Sequence, residues 1–123
     1  MELKRVVITG MGAITPLGNT VQDYWNGLIN GVSGADMITL FDASKFRTKF
    51  ACEIKGFEPT QFLDKKEARK IDRFTQLALV VSDQAMTDAG LNKDNINPDR
   101  VGVVFASGIG GLITFQHEVT DFA

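Results

Sequence analysis

"VVITGMGAITPLGN", residues 6–19, carries a β-branched apolar run straight into a glycine-rich turn. Two readings compete for it: a phosphate cradle, or a core strand and its exit turn. A dinucleotide fingerprint needs G-x-G-x-x-G running directly into a helix, because the phosphates sit on the helix N-terminus. Gly10 and Gly12 fit that spacing, but Thr15 holds the third position and Pro16 follows it. No G-K-[ST] completes a P-loop, and the acidic residue expected about 20 positions on falls in loop-like sequence near Asp36. The stretch therefore reads as a buried strand over residues 3–9, stopped by Gly10. Gly10 and Gly12 are expected to supply a turn with positive φ. Pro16 fixes the exit, and Asn19 or Thr20 caps the helix "VQDYWNGLING", which Gly31 ends. Val21, Tyr24, Trp25, Leu28 and Ile29 form its apolar face.

Further along, residues 32–50 are loop-like, with a short turn at "DASKF". "FACEI" at 50–54 reads as a short strand, and Glu58-Pro59-Thr60 starts a brief helical turn. Asp64 and Glu67 make a D-x-x-E capping box. The stripe Ile71, Phe74, Ala78, Val81, Ala85 then predicts one helix closed by Gly90, a rod of about 37 Å for roughly 25 residues. "NKDNINPD" is a polar connection, and "VGVVFAS" at 101–107 is a second buried strand. "GIGGL" leads into a last helix with Leu112, Phe115, Val119 and Phe122 on one face, and this helix runs to Ala123 without a stop signal. The order β, α, (β), α, β, α predicts an α/β domain with a largely parallel sheet. Two or three strands cannot cover such apolar segments on both faces, so further chain is expected to complete the sheet.

Composition narrows the function classes. The 123 residues are 44% hydrophobic and 23% charged, a globular balance, and the net charge of −2 exerts no general pull on nucleic acid or anionic membrane. The run "LALVV" at 77–81 is far too short to span a bilayer, and no signal-peptide core is present. One cysteine excludes an internal disulfide and suggests a reducing, cytoplasmic setting. Cys52 and His117 are the only residues of their types. Cys52 falls in the expected strand, where a small buried role suits it better than nucleophilic chemistry. His117 is expected on an exposed helix face, and no metal-ligand spacing occurs.

Two motifs remain. In "ASGIGGL" at 106–112, Gly108, Gly110 and Gly111 mark a place where backbone comes close to something. Ile109 is the one bulky side chain among them, either a plug on an apolar cavity or a core residue in a tight turn. In "KKEARKIDR", Lys66, Arg69, Lys70 and Arg73 recur at i, i+3, i+4, i+7 and would fall within an arc of about 100° on a helix. Five of the 13 basic residues lie between Lys65 and Arg73. Such a stripe either grips an acidic partner or is a solvated face moderated by Glu67 and Asp72.

Taken together, "KRVVITGMGAITPLGN", "KFACEIKGF", "KKEARKIDRFTQLAL" and "VGVVFASGIGGL", in this order and spacing, resemble the N-terminal part of the bacterial β-ketoacyl-acyl carrier protein synthase II family. The resemblance covers essentially the whole chain. It implies a thiolase-like α/β fold, layered α-β-α-β-α in the full protein, with residues 1–123 forming most of the N-terminal half. It implies an acyltransferase of fatty acid elongation, acting by decarboxylative Claisen condensation as a homodimer, with acyl carrier protein as partner and no cofactor or metal. The nucleophilic cysteine and two histidines of the family are expected beyond residue 123; neither Cys52 nor His117 matches their motifs. Within this chain, Ile109 and Gly108 match the acyl-pocket segment, and Lys66, Arg69 and Lys70 match the patch that receives the carrier. No family role transfers to Arg73. A polyketide-type ketosynthase shares these motifs. Two function classes stand apart from the resemblance: a non-catalytic module gripping an acidic protein through the stripe, and a nucleotide-dependent reductase.

Overall fold

A computed structural model describes residues 3–123. The chain divides into two compact units. One joins the N-terminal segment, as far as Met11, to Glu58–Ala123; the other is Gly12–Phe57.

In the Gly12–Phe57 unit, Thr15 and Gly18 exchange backbone hydrogen bonds of 2.8 and 3.1 Å across the Pro16-Leu17 tip. Helix α1, Val21–Ile29, follows. The Thr20 hydroxyl caps it, accepting from the Asp23 amide at 3.1 Å, as its residue type predicts. At the other end Gly31 adopts φ 63°, and Val32 N–H donates to the Gly27 carbonyl at 2.9 Å. That is a Schellman closure, satisfying carbonyls the helix leaves open. The apolar face expected of α1 is not covered: Trp25, Leu28 and Ile29 are exposed, whereas Gly27 is buried against Leu17. Two strands, β1 Asp36–Met37 and β2 Phe50–Ala51, pair antiparallel. The sequence expected the second and missed the first, and the pairing runs opposite to the parallel sheet predicted. The turn at 42–46 is present: Asp42 accepts from the Ser44 amide at 2.9 Å, and Phe41 and Phe46 meet edge to face. Cys52 lies just past β2 and is exposed, which overturns its buried assignment.

The larger unit corrects the sequence reading at two places. First, residues 3–9 and 101–107 form no strand ladder with any described residue, and their apolar side chains are open, Val6 at 89% and Val104 at 95%. The β-branched composition favours a sheet, but a ladder needs a neighbour, and neither segment finds one among the described residues, so the two buried strands expected here are not formed. Second, the single long helix is broken. A 3-10 turn, Pro59–Gln61, leads to α2, Lys65–Ala68, and α3, Arg73–Asp88, is separate. Asp64 caps α2 as expected, accepting from the Lys66 amide at 2.8 Å and the Glu67 amide at 3.3 Å. The break is held by Gln76, whose side-chain amide donates to the Ala68 carbonyl at 2.7 Å and so satisfies the end of α2. Val80, 2% exposed, is the buried residue of α3, and Gly90 (φ 65°) closes that helix with a second Schellman motif. A 3-10 turn, Pro98–Arg100, precedes the last helix, α4, Leu112–Phe122. Its expected apolar face, Leu112, Phe115, Val119 and Phe122, is exposed.

Gly10 explains the opening glycines differently from the turn first expected. The described glycines with positive φ are Gly31, Gly56, Gly90 and Gly111, not Gly10 or Gly12. A Cβ on Gly10 would stand 2.3 Å from the Ala85 carbonyl oxygen and 2.5 Å from the Ala89 nitrogen. The missing side chain lets the backbone lie directly on α3, and Met11 N–H then donates to the Asp88 carboxylate at 2.8 Å.

Candidate functional site

The sequence points to two places, and both fall in the larger unit. The glycine segment forms the wall of a cavity of about 460 Å³, with Ile109 to Ile113 on one side and Ile71, Phe74 and Leu77 on the other. Close backbone approach is found at Gly110, not Gly108: a Cβ on Gly110 would stand 2.7 Å from the Phe74 ring, whereas Gly108 faces open space. Gly111 takes φ 70° and begins α4. Ile109 is 75% exposed at the cavity edge, so it is not a residue of a packed core.

Phe74 and Asp72 are the members of this site that sequence reading missed. Phe74 looked like one more residue of a core stripe, and Asp72 like a neutralising charge. Their partners lie some 36 to 42 positions away, beyond the reach of any periodicity. The Asp72 carboxylate accepts a hydrogen bond from the Thr114 hydroxyl on α4.

The second place is the basic segment. Because the helix breaks, Lys66 stands in α2, Arg69 is its C-cap, Lys70 lies in the connection and Arg73 opens α3. The 100° arc of one continuous helix is therefore not formed. All four residues are exposed. Three carboxylates accompany the five cations of residues 64–73. Two of those are occupied elsewhere: Asp64 caps α2 and Asp72 binds Thr114. Among the described residues, Lys66, Arg69 and Lys70 make no ion pair, so their charge is directed to solvent. Glu58 is held below its ordinary carboxylate range, first by the Thr60 hydroxyl, then by the Thr60 amide, with a smaller contribution from the charge of Arg73.

Among the described residues, no cluster of His, Cys, Asp and Glu is arranged to hold a metal, and no helix is long and apolar enough to cross a membrane. His117 is exposed on α4, as expected. At the opening turn, the Thr20 hydroxyl accepts from the Asp23 amide and donates to the Asp23 carboxylate, which places negative charge at the start of α1. That arrangement disfavours a phosphate, in line with the sequence reading.

Comparison with known proteins agrees with the motif order. A family model described as "Beta-ketoacyl synthase, N-terminal domain" matches residues 3–121. The chain is 51% identical over 120 residues to 3-oxoacyl-[acyl-carrier-protein] synthase 2 of Synechocystis sp., covering 98% of this chain and 29% of that protein. Proteins of the same name from Coxiella burnetii and Staphylococcus aureus are 50% and 48% identical, over 91% and 92% of this chain and 27% of each relative. The chain thus spans less than a third of the length of these relatives. Among solved structures, "The ishigamide ketosynthase/chain length factor" superposes with a TM-score of 0.67 at 37% identity, over 74% of this chain and 23% of that one. The α/β fold is accordingly of the thiolase-like kind inferred from the motifs. The chain belongs to the family of beta-ketoacyl synthase N-terminal domains.

Proposed function

We propose that this chain is the N-terminal part of a 3-oxoacyl-[acyl-carrier-protein] synthase 2, supplying one wall of the acyl pocket and the surface on which acyl carrier protein docks. The 51% identity across 120 residues carries this reading. It is higher than the 37% shared with the ketosynthase/chain length factor, which favours the fatty acid reading over the polyketide-type one. The unpaired apolar segments at 3–9 and 101–107 support residues 1–123 being an incomplete thiolase-like half.

In the whole enzyme, a cysteine thiolate outside this chain accepts the acyl group from the carrier with loss of the carrier thiol. Malonyl carrier then loses carbon dioxide, and the carbanion left behind attacks the acyl thioester. The thiolate departs, and a β-ketoacyl carrier two carbons longer is formed. Two histidines assist decarboxylation, and backbone N–H groups hold the oxyanion. This chain contributes no catalytic residue. Ile109, with Gly108 beside it, borders the acyl chain. Lys66, Arg69 and Lys70 receive the acidic carrier, with exposed cations that make no ion pair among the described residues and so suit electrostatic docking. The enzyme works as a cytoplasmic homodimer.

The test uses this chain joined to the remaining residues of the Synechocystis relative. Lys66, Arg69 and Lys70 all changed to Glu should raise KM for carrier-borne substrates tenfold or more, on the order of the ~1.4 kcal/mol or more that lost charge complementarity removes, with little change in kcat. Ile109→Phe should shorten the acyl chains accepted. An unchanged KM would remove the docking assignment, and full activity on long chains would remove the pocket assignment.

A further inference from the structure

We propose that Asp72 and Thr114 form a positioning pair that fixes the Ile109–Gly111 segment against the start of α3, and so sets the shape of the cavity they share. Asp72 is the N-cap residue of α3 (φ −63°, ψ 156°), where an aspartate ordinarily accepts hydrogen bonds from its own first helical turn. Its side chain makes no such bond here. It accepts instead from the hydroxyl of Thr114, 42 positions along the chain. A hydroxyl bonded to a carboxylate is a charge-assisted contact, stronger than its neutral counterpart.

The same carboxylate lies along the glycine segment. Its Oδ2 is 3.1 Å from the place a Cβ on Gly111 would occupy, and Gly111 is in the left-handed region at φ 70°. One residue earlier, Gly110 rests on the Phe74 ring. Asp72 and Phe74, two positions apart at the start of α3, thus hold Gly111, Thr114 and Gly110. Ile109 adjoins this anchored stretch and is itself 75% exposed. Its place at the cavity edge is set by the neighbours that are tied down, not by packing of its own side chain. Both ends of the tie line the cavity, so loosening it changes the cavity. Its consequence for acyl-chain choice rests on the function proposed above; the positioning itself does not.

Thr114→Val keeps the side-chain shape and removes the hydroxyl, and Thr114→Ser restores the hydroxyl. Both are compared with the parent in the joined protein, by amide hydrogen exchange and by condensation across acyl-chain lengths. Thr114→Val should speed exchange at residues 109–112 about fivefold or more, leave residues 77–81 of α3 unchanged, and redistribute kcat/KM among chain lengths. Thr114→Ser should return both towards the parent. Unchanged exchange at 109–112, or equal acceleration throughout α3, would overturn the positioning role. If exchange responds as stated while the parent joined protein performs no condensation, the positioning pair stands and the functional reading fails.

Discussion

At Gly110, an added methyl group would stand 2.7 Å from the Phe74 ring, closer than packed side chains approach. Gly110→Ala should therefore lower stability by about 1 kcal/mol or less, because the exposed Phe74 ring can turn aside, read as a slightly lower urea midpoint with an unchanged slope. An unaltered midpoint would mean that Phe74 is not seated on Gly110. Residues whose role is local were legible in the sequence. Thr20, Asp64, Gly31 and Gly90 cap or close helices through bonds to neighbours within a few positions, so type and place suffice to read them. Gly10, Asp72 and Phe74 were not legible for the opposite reason. What each meets is α3 or the glycine segment, set by the way the chain returns on itself. Gly10 was correctly singled out and wrongly explained: the need is for close approach, not for positive φ.

The elements show the same division. Helix α1 lies where apolar periodicity and its caps place it, α4 follows its apolar periodicity, and α3 ends at the Gly90 expected to close it. The break between α2 and α3 escaped because Ile71 and Phe74 continue the apolar spacing through it, and Gln76 satisfies α2 from a side chain that any helix model tolerates. Strand β1 escaped because two residues carry no alternation to read. An exposed ion pair lies beside it: Lys55 Nζ reaches the Asp36 carboxylate at 2.5 Å. The Lys55 hydrogen bond, then the Met37 amide, hold the Asp36 pKa below its ordinary value of 3.8. A group depressed by folding contributes stability that is present above 3.8 and disappears as pH falls through its folded value. Glu53, lowered chiefly by the Thr39 hydroxyl, acts in the same sense. Acidification below 3.8 should thus loosen the β1–β2 pair, seen as faster exchange of the Ile38 amide that donates to the Lys49 carbonyl, and Asp36→Asn should reduce that pH response, with Glu53 keeping the remainder. Protection that stays constant through this range would show that the ion pair does not hold the strands.

For the whole molecule, class and family were legible because four motifs keep their order and spacing over nearly the entire chain. Burial was not legible. Composition says that residues 3–9 and 101–107 favour a sheet interior, but an interior also requires partners, and these segments stand open with α4 and the outer face of α1. A chain that spans 29% of its Synechocystis relative is expected, in our reading, to carry core faces whose complement lies in the remaining length. The acyl-carrier reading of the whole then rests on what the joined protein makes. The decisive determination is the mass of the carrier-bound product when joined protein, acyl-loaded carrier and malonyl-loaded carrier are mixed. A β-ketoacyl chain two carbons longer than the starting acyl group, with release of carbon dioxide, is the expected product. A folded joined protein that accepts the acyl group and yields no elongated chain would contradict the assignment.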